Sequence, residues 1–251
     1  MEKNEINEKN ESKLEEDKIK GRILLGVLIV TILFIAIIFI NLLIKNPEEN
    51  ILNNNVLNDV YNKYGIPSID KPVIYLYPEE KTEATVKLAN KDKLTTVYPE
   101  YNDIWKMIAY PDGTLVDEKT GREYYSLYYE SENTKEYDGL KDGFVVKNED
   151  IVKFLEEKLS ILGLNDKEAE EFIIYWLPKL QQNEYVYFRF QTMKEIEENM
   201  PLLISPKPDT MIRVMMEWKG LDKYVEVQEQ ELTQVNREGF TVVEWGGTEI
   251  K

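Results

Sequence analysis

The chain contains neither cysteine nor histidine among its 251 residues. Without cysteine there is no disulfide, no thiolate metal site, no thiol nucleophile and no lipid anchor of the lipoprotein type. Without histidine the commonest general base is missing, and with it the Ser-His-Asp arrangement and every zinc site built on imidazole. Any chemistry must rest on carboxylates, Lys, Tyr, Ser or Thr. Positive charge is also scarce, with 31 basic residues against 47 acidic ones and a formal net charge of −16, of which residues 71–251 carry −13. A surface of that sign cannot track phosphates, which needs clustered Lys and Arg, so nucleic acid is excluded as a partner. The excess serves solubility, or attracts divalent cations and basic partners.

Long apolar runs are absent except for one. Residues 23–44 hold only Thr31 and Asn41 as polar side chains. As a helix this run would extend about 33 Å, enough to cross a hydrocarbon core of about 30 Å. Lys13, Lys18, Lys20 and Arg22 precede it, whereas Lys45 is followed by Glu48 and Glu49. The basic bias therefore places the N-terminus in the cytoplasm. The run is longer than a usual signal core and is not followed by small residues at cleavage spacing, which fits an uncleaved signal anchor better than a cleaved signal peptide.

Residues 1–22 mix Glu, Lys and Asn without apolar periodicity and are expected to form a disordered cytoplasmic tail. Residues 45–70 are rich in Asn and are expected to act as an extracytoplasmic linker. Residues 71–251 then read as a single β-rich domain outside the cytoplasm. The expected strands lie at 72–78, 84–88, 94–98, 104–110, 114–116, 124–129, 185–190, 212–218 and 240–245. Tyr77-Pro78, Tyr98-Pro99 and Tyr110-Pro111 each precede an acid and mark strand ends, and together they suggest a β-meander with similar corners. Gly246-Gly247 is expected to let the last strand turn against a neighbour.

Two helices interrupt the strands. Asn148 is placed to cap the first, whose stripe of Ile151, Leu155, Leu159 and Leu162 stops at Gly163. Asn165 and Glu168 make a capping-box start for the second, with Phe172, Ile173, Trp176 and Leu180 on one face and Pro178 expected to kink or end it. The fold class is thus α+β: a mainly antiparallel sheet domain with an inserted helical hairpin, preceded by one transmembrane helix.

Two segments carry a resemblance: Lys71-Pro-Val-Ile-Tyr-Leu-Tyr-Pro-Glu79 and Arg237-Glu-Gly-Phe-Thr-Val-Val-Glu-Trp-Gly-Gly-Thr-Glu249. With Gly113-Thr-Leu115, Tyr175-Trp-Leu-Pro178 and Ser205-Pro-Lys-Pro-Asp209, they make residues 70–251 similar to an uncharacterised family of membrane-tethered or exported proteins from low-GC Gram-positive bacteria. The resemblance implies one intact domain and an envelope location, and it brings no catalytic residue.

The candidate chemistry lies where aromatic rings interleave with acids. Tyr98, Glu100, Tyr101 and Trp105 form one such stretch, and Tyr129 with Glu130 ends another that begins at Tyr124. Tyr and Trp stack on sugar rings or prolines, while carboxylates accept hydroxyl or ammonium hydrogen bonds. These residues, with Glu244, are the expected contacts for an envelope glycan, peptide or membrane-protein partner; the bland alternative is that the tyrosines fill half-buried sheet faces. A second reading is a carboxylate-dependent glycoside hydrolase using acids such as Glu100, Asp103, Glu130 and Glu244. A third is a single-pass sensor. Acids converge at Asp112, Asp117 and Glu118 and again at Asp138 and Asp142, but no EF-hand loop is present, and no metal site or cofactor is expected. Gly246-Gly247 is followed by no helix, so no phosphate loop forms there.

Overall fold

A computed structural model describes residues 68–250 apart from Thr134, Glu136 and Asp138. The expected tail and membrane span at 1–22 and 23–44 lie outside the described residues, as does the expected linker at 45–70 except for Ser68, Ile69 and Asp70, which belong to the first strand. Among the described residues, no helix is long and apolar enough to cross a membrane.

The strands, in chain order, are β1 (Ser68–Tyr77), β2 (Thr82–Leu88), β3 (Leu94–Tyr98), β4 (Trp105–Ala109), β5 (Leu115–Asp117), β6 (Glu123–Tyr124), β7 (Leu127–Glu132), β8 (Phe144–Lys147), β9 (Tyr185–Phe190), β10 (Leu202–Ser205), β11 (Thr210–Leu221) and β12 (Thr241–Glu249). The helices are α1 (Ile151–Ile161), α2 (Asp166–Leu180) and α3 (Met193–Asn199). The strands form a seven-stranded sheet in the order β3-β7-β1-β12-β11-β9-β8 and a five-stranded sheet in the order β10-β2-β4-β5-β6. The fold is α+β, mostly sheet and mostly antiparallel.

The helical hairpin covers one face of the large sheet. Ile151, Leu155 and Leu159 of α1, and Phe172, Trp176 and Leu180 of α2, pack on Val73, Tyr75, Val214, Met216, Val243 and Trp245. The opposite face of β1, β7 and β12 meets the small sheet, where Ile74, Leu76, Leu127 and Val242 pack on Val86, Trp105, Met107 and Leu115. A strand buried on both faces reads as a continuous apolar run, which explains Val73-Ile-Tyr-Leu76 without alternation. Burying such a side chain contributes roughly 1.5–3 kcal/mol, so these two cores dominate stability.

Several expectations need correction. The strands do not make one meander, because the chain passes back and forth between the sheets and, of the first seven strands, only β4, β5 and β6 pair in succession. Proline ends a ladder but does not decide which sheet the chain enters next. The last strand does not stop at Trp245: Gly246 and Gly247 lie within β12, opposite Met215 and Met216 of β11, and that pairing is parallel. Residues 222–240 make the crossover over the helical layer, where Leu232 and Val235 pack and the Val235 N–H donates to the Ile161 carbonyl at 3.1 Å.

Helix α2 keeps its Asn165–Glu168 capping box and continues past Pro178 to Leu180, which is fully buried. Asn148 does not cap α1. It lies in a 3-10 turn, and its amide donates to the Gln181 and Asn183 carbonyls at 2.8 and 2.7 Å, closing the C-terminal end of α2. Helix α3 gives little sequence signal, since Ile196 is its one buried residue; its Thr192–Glu195 capping box starts it.

Candidate functional site

The aromatic and acidic residues singled out from the sequence separate into an interior group and an outer group. Trp105 is buried between the sheets, its indole N–H donating to the Pro99 carbonyl at 3.0 Å. Tyr101 packs edge-on against it at 4.6 Å, and the Tyr101 hydroxyl accepts from the Leu88 N–H at 2.9 Å. Glu100 is exposed and accepts from the Asn102 amide at 3.2 Å. Tyr129 and Glu244 do meet, but in the interior. Trp105, Tyr129 and Glu244 are therefore core groups, and the expectation that they contact a ligand at the surface is corrected. Side-chain parity explains the error, because successive residues of a strand face opposite sides and composition does not say which side is wet.

The interior group is an ionic network on the face of the large sheet beneath α3. Glu244 is fully buried; its Oε1 accepts from the Tyr129 hydroxyl at 2.8 Å and its Oε2 from Arg213 Nε at 2.5 Å. The same guanidinium reaches Glu197 Oε1 at 2.8 Å and the Met200 carbonyl at 2.7 Å. Two pairs further along β11, Glu217 accepts from Lys135 at 2.5 Å and from Arg189 at 3.1 Å. Arg189 also forks onto both oxygens of Glu195 at 3.0 and 2.9 Å.

Electrostatics follow from that geometry. Burial and the adjacent Glu244 carboxylate push the Tyr129 phenol far above its usual range. Burial pulls Arg213 down, but the carboxylate of Glu244 outweighs it and holds the guanidinium charged. Burial likewise pushes Glu195 up, yet its bonds to Arg189 win and hold it at about 2. Both Glu244 oxygens are engaged and the side chain is wholly enclosed, so this pair fastens α3 to the sheet and has no access to a substrate.

The outer group lies beside α2, where the helical hairpin leaves β7 and β3 uncovered. Register pairs Tyr98 with Tyr128 and Thr96 with Glu130, so these four share the helix side of the sheet edge. Tyr98 is 49% exposed and its ring meets Tyr124 edge-on at 5.6 Å. Tyr128 is partly buried, and burial together with a hydrogen bond to Glu130 raises its phenol well above the usual range. Tyr125, 57% exposed, adds a further ring, with the Lys167 ammonium 5.2 Å from its centroid.

Lys71 and Lys179 border the strip from β1 and α2. The Lys71 ammonium lies 5.6 Å from the Tyr128 ring centroid and 5.4 Å from that of Tyr175. Lys179 lies 4.6 Å from the Tyr175 centroid and pairs with Asp70 at 3.1 Å. Beneath them the Tyr75 hydroxyl donates to Glu171 at 2.5 Å. Of the residues expected from sequence, the structure brings Tyr98 and Glu130 to this strip. Lys71 and Tyr175 are not among the expected contacts, and Tyr128 lies in the aromatic and acidic stretch beginning at Tyr124 without being set apart from Tyr129; the alternation of Tyr128 and Glu130 against Tyr129 is the available signal.

Two other features are less built. A groove of about 380 Å³ runs along the free edge of β8, between Phe154 of α1 and Tyr224 and Val227 of the crossover. Among the described residues, no three acids converge to hold a metal ion. Asp112 and Asp117 instead close turns, accepting from the backbone of Thr114 at 2.9 Å and of Lys119 and Thr120 at 3.0 and 2.7 Å.

Comparison with known proteins gives a match to an uncharacterized protein in the bglA 3′ region of Butyrivibrio fibrisolvens, 40% identical over 65 residues. That match covers 25% of this chain and 66% of the relative, just under two thirds of its length. No family model and no solved structure matches the chain.

Proposed function

We propose that this protein is a cell-envelope binding module, in which one transmembrane signal anchor at residues 23–44 holds the α+β domain outside the cytoplasm and the tyrosine strip meets its partner. The partner class is an envelope glycan, a peptide or another membrane protein. The observation that supports this reading is the pairing of Tyr98 with Tyr128 on a sheet edge that the helical hairpin leaves uncovered, beside the Glu130 carboxylate. Half-exposed tyrosines give large contact area at low entropic cost, and carboxylates beside them accept hydroxyl hydrogen bonds.

Hydrolysis has less behind it. It needs two acids facing one cleft, one of them with a raised pKa. Glu244 has both oxygens occupied in the interior, and the exposed Asp103 is paired with Lys91, which lowers its pKa.

The test uses the full-length protein in nanodiscs, sedimented with isolated cell-wall polymer and, separately, with purified envelope membranes. Tyr98→Ala and Tyr128→Ala should each weaken capture by about tenfold with unchanged near-UV circular dichroism. Undiminished capture by both variants would sink the reading. Protease added to intact cells should remove the domain; full protection would reverse the orientation.

A further inference from the structure

Lys71 combines three observations. It is a non-glycine residue with φ of +60°, in the left-handed region that costs an L-residue energy. It sits where the β1 ladder slips register between Asp70 and Val73 against β12. Among the described residues, its ammonium forms no ion pair with a carboxylate, although the domain carries an excess of acids; its recorded neighbours are the faces of Tyr128 and Tyr175. Lys179, on the same Tyr175 ring, is neutralised by Asp70 and so differs from it. Left-handed non-glycine residues at bulges recur where a side chain must be aimed, and a cation held between two rings keeps its N–H donors for a third party.

We infer that the partner of the strip is an acidic glycan, whose sugar carboxylate pairs with the Lys71 ammonium while its rings lie against Tyr128 and Tyr175. This rests on the binding-module reading above and adds the ligand's chemistry. Charge complementarity selects an anion, because the ammonium groups of Lys71 and of Lys167 have no ion pair among the described residues and Lys71 is the one held against Tyr128 and Tyr175. The Glu130 carboxylate beside Tyr128 selects a sugar over an acidic peptide, since besides the Tyr128 hydroxyl it can accept a sugar hydroxyl, whereas it would repel a run of carboxylates. Flat phenol faces suit the apolar faces of sugar rings.

The experiment is calorimetric titration of the full-length protein in phosphatidylcholine nanodiscs with three probes of matched length. These are an oligogalacturonate, its neutral galactose counterpart and an oligoglutamate peptide. The oligogalacturonate should bind, about tenfold or more above the neutral sugar, with affinity falling as salt rises. Lys71→Gln should reduce it to the neutral level, and Lys71→Arg should retain most of it. Lys71→Gly suits the left-handed backbone and removes the ammonium without a folding penalty, so it should match Lys71→Gln. Equal binding of charged and neutral sugars, unaffected by Lys71→Gly, would overturn the inference and leave the binding module standing. Preference for oligoglutamate would overturn it in favour of an acidic peptide. Binding of none of the probes, while Tyr98→Ala still weakens cell-wall capture, also overturns it; loss of that capture effect as well removes the reading beneath it.

Discussion

Arg213 and Glu244 stand directly opposite each other on the parallel strands β11 and β12, with Nε and Oε2 2.5 Å apart and neither side chain reached by solvent. Removing one partner strands the other's charge, and such a loss costs about 3–5 kcal/mol. Glu244→Leu should therefore lower the urea midpoint sharply. Arg213→Met combined with Glu244→Leu should recover part of the loss, and the double-mutant cycle should give a coupling of roughly 1–3 kcal/mol. Additive losses would show that the two charges are held independently.

Acid should loosen α3. The bonds from Arg189 outweigh burial and hold the Glu195 carboxyl down at about 2. A carboxylate depressed in the folded state gives its full stabilisation above the unfolded value of about 4.5 and loses it as pH falls toward about 2. Part of the side chain is exposed, so solvent screening reduces the contribution to roughly 2 kcal/mol. Urea titrations at pH 7 and pH 2.5 should show Glu195→Gln destabilised at the first and nearly level with the native chain at the second. An equal deficit at both would point to a lost contact other than the charge.

Gly247 lies where a Cβ would come within 2.8 Å of both the Met216 carbonyl oxygen and the Trp176 ring. One obstacle is strand backbone and the other a fully buried indole, so neither can yield cheaply. Gly247→Ala should cost about 1–3 kcal/mol by overpacking. A thermal melt checks this, and an unchanged midpoint would mean that β12 can shift.

Trp105 and Tyr98 should behave oppositely. Trp105→Ala empties the space between the sheets and should cost about 3–5 kcal/mol. Tyr98→Ala removes a ring from the wet edge and should change stability by no more than about 0.5 kcal/mol, its effect appearing in ligand capture. Denaturation curves of the two variants decide it.

The α+β class, both long helices and most strands were legible because apolar periodicity and capping residues act locally. Asn165 with Glu168 announced α2, and the β-propensity run closed by Pro78 announced a strand, although that both of its faces are buried follows only from the two layers packed on it. What was hidden is set by partners distant in sequence. Nothing near Glu244 reveals that Arg213 will sit opposite it, and nothing near Tyr129 reveals that its side of β7 is the inner one. A shift of one residue in parity moved the candidate surface from Tyr129 to Tyr128. Tyr98 and Glu130 were legible because both sit on the outer parity; Lys71 was not, since its exposure depends on the bulge in β1.

The first described strand, β1, and the last, β12, are neighbours, and β12 separates β1 from β11. A chain cut at residue 240 would therefore lack the strand that joins β3-β7-β1 to β11-β9-β8, leaving β1 and β11 each with an unpaired edge. Both edges would need shelter until β12 arrives, and truncation just short of it would leave an aggregation-prone product although all three helices precede it in the chain.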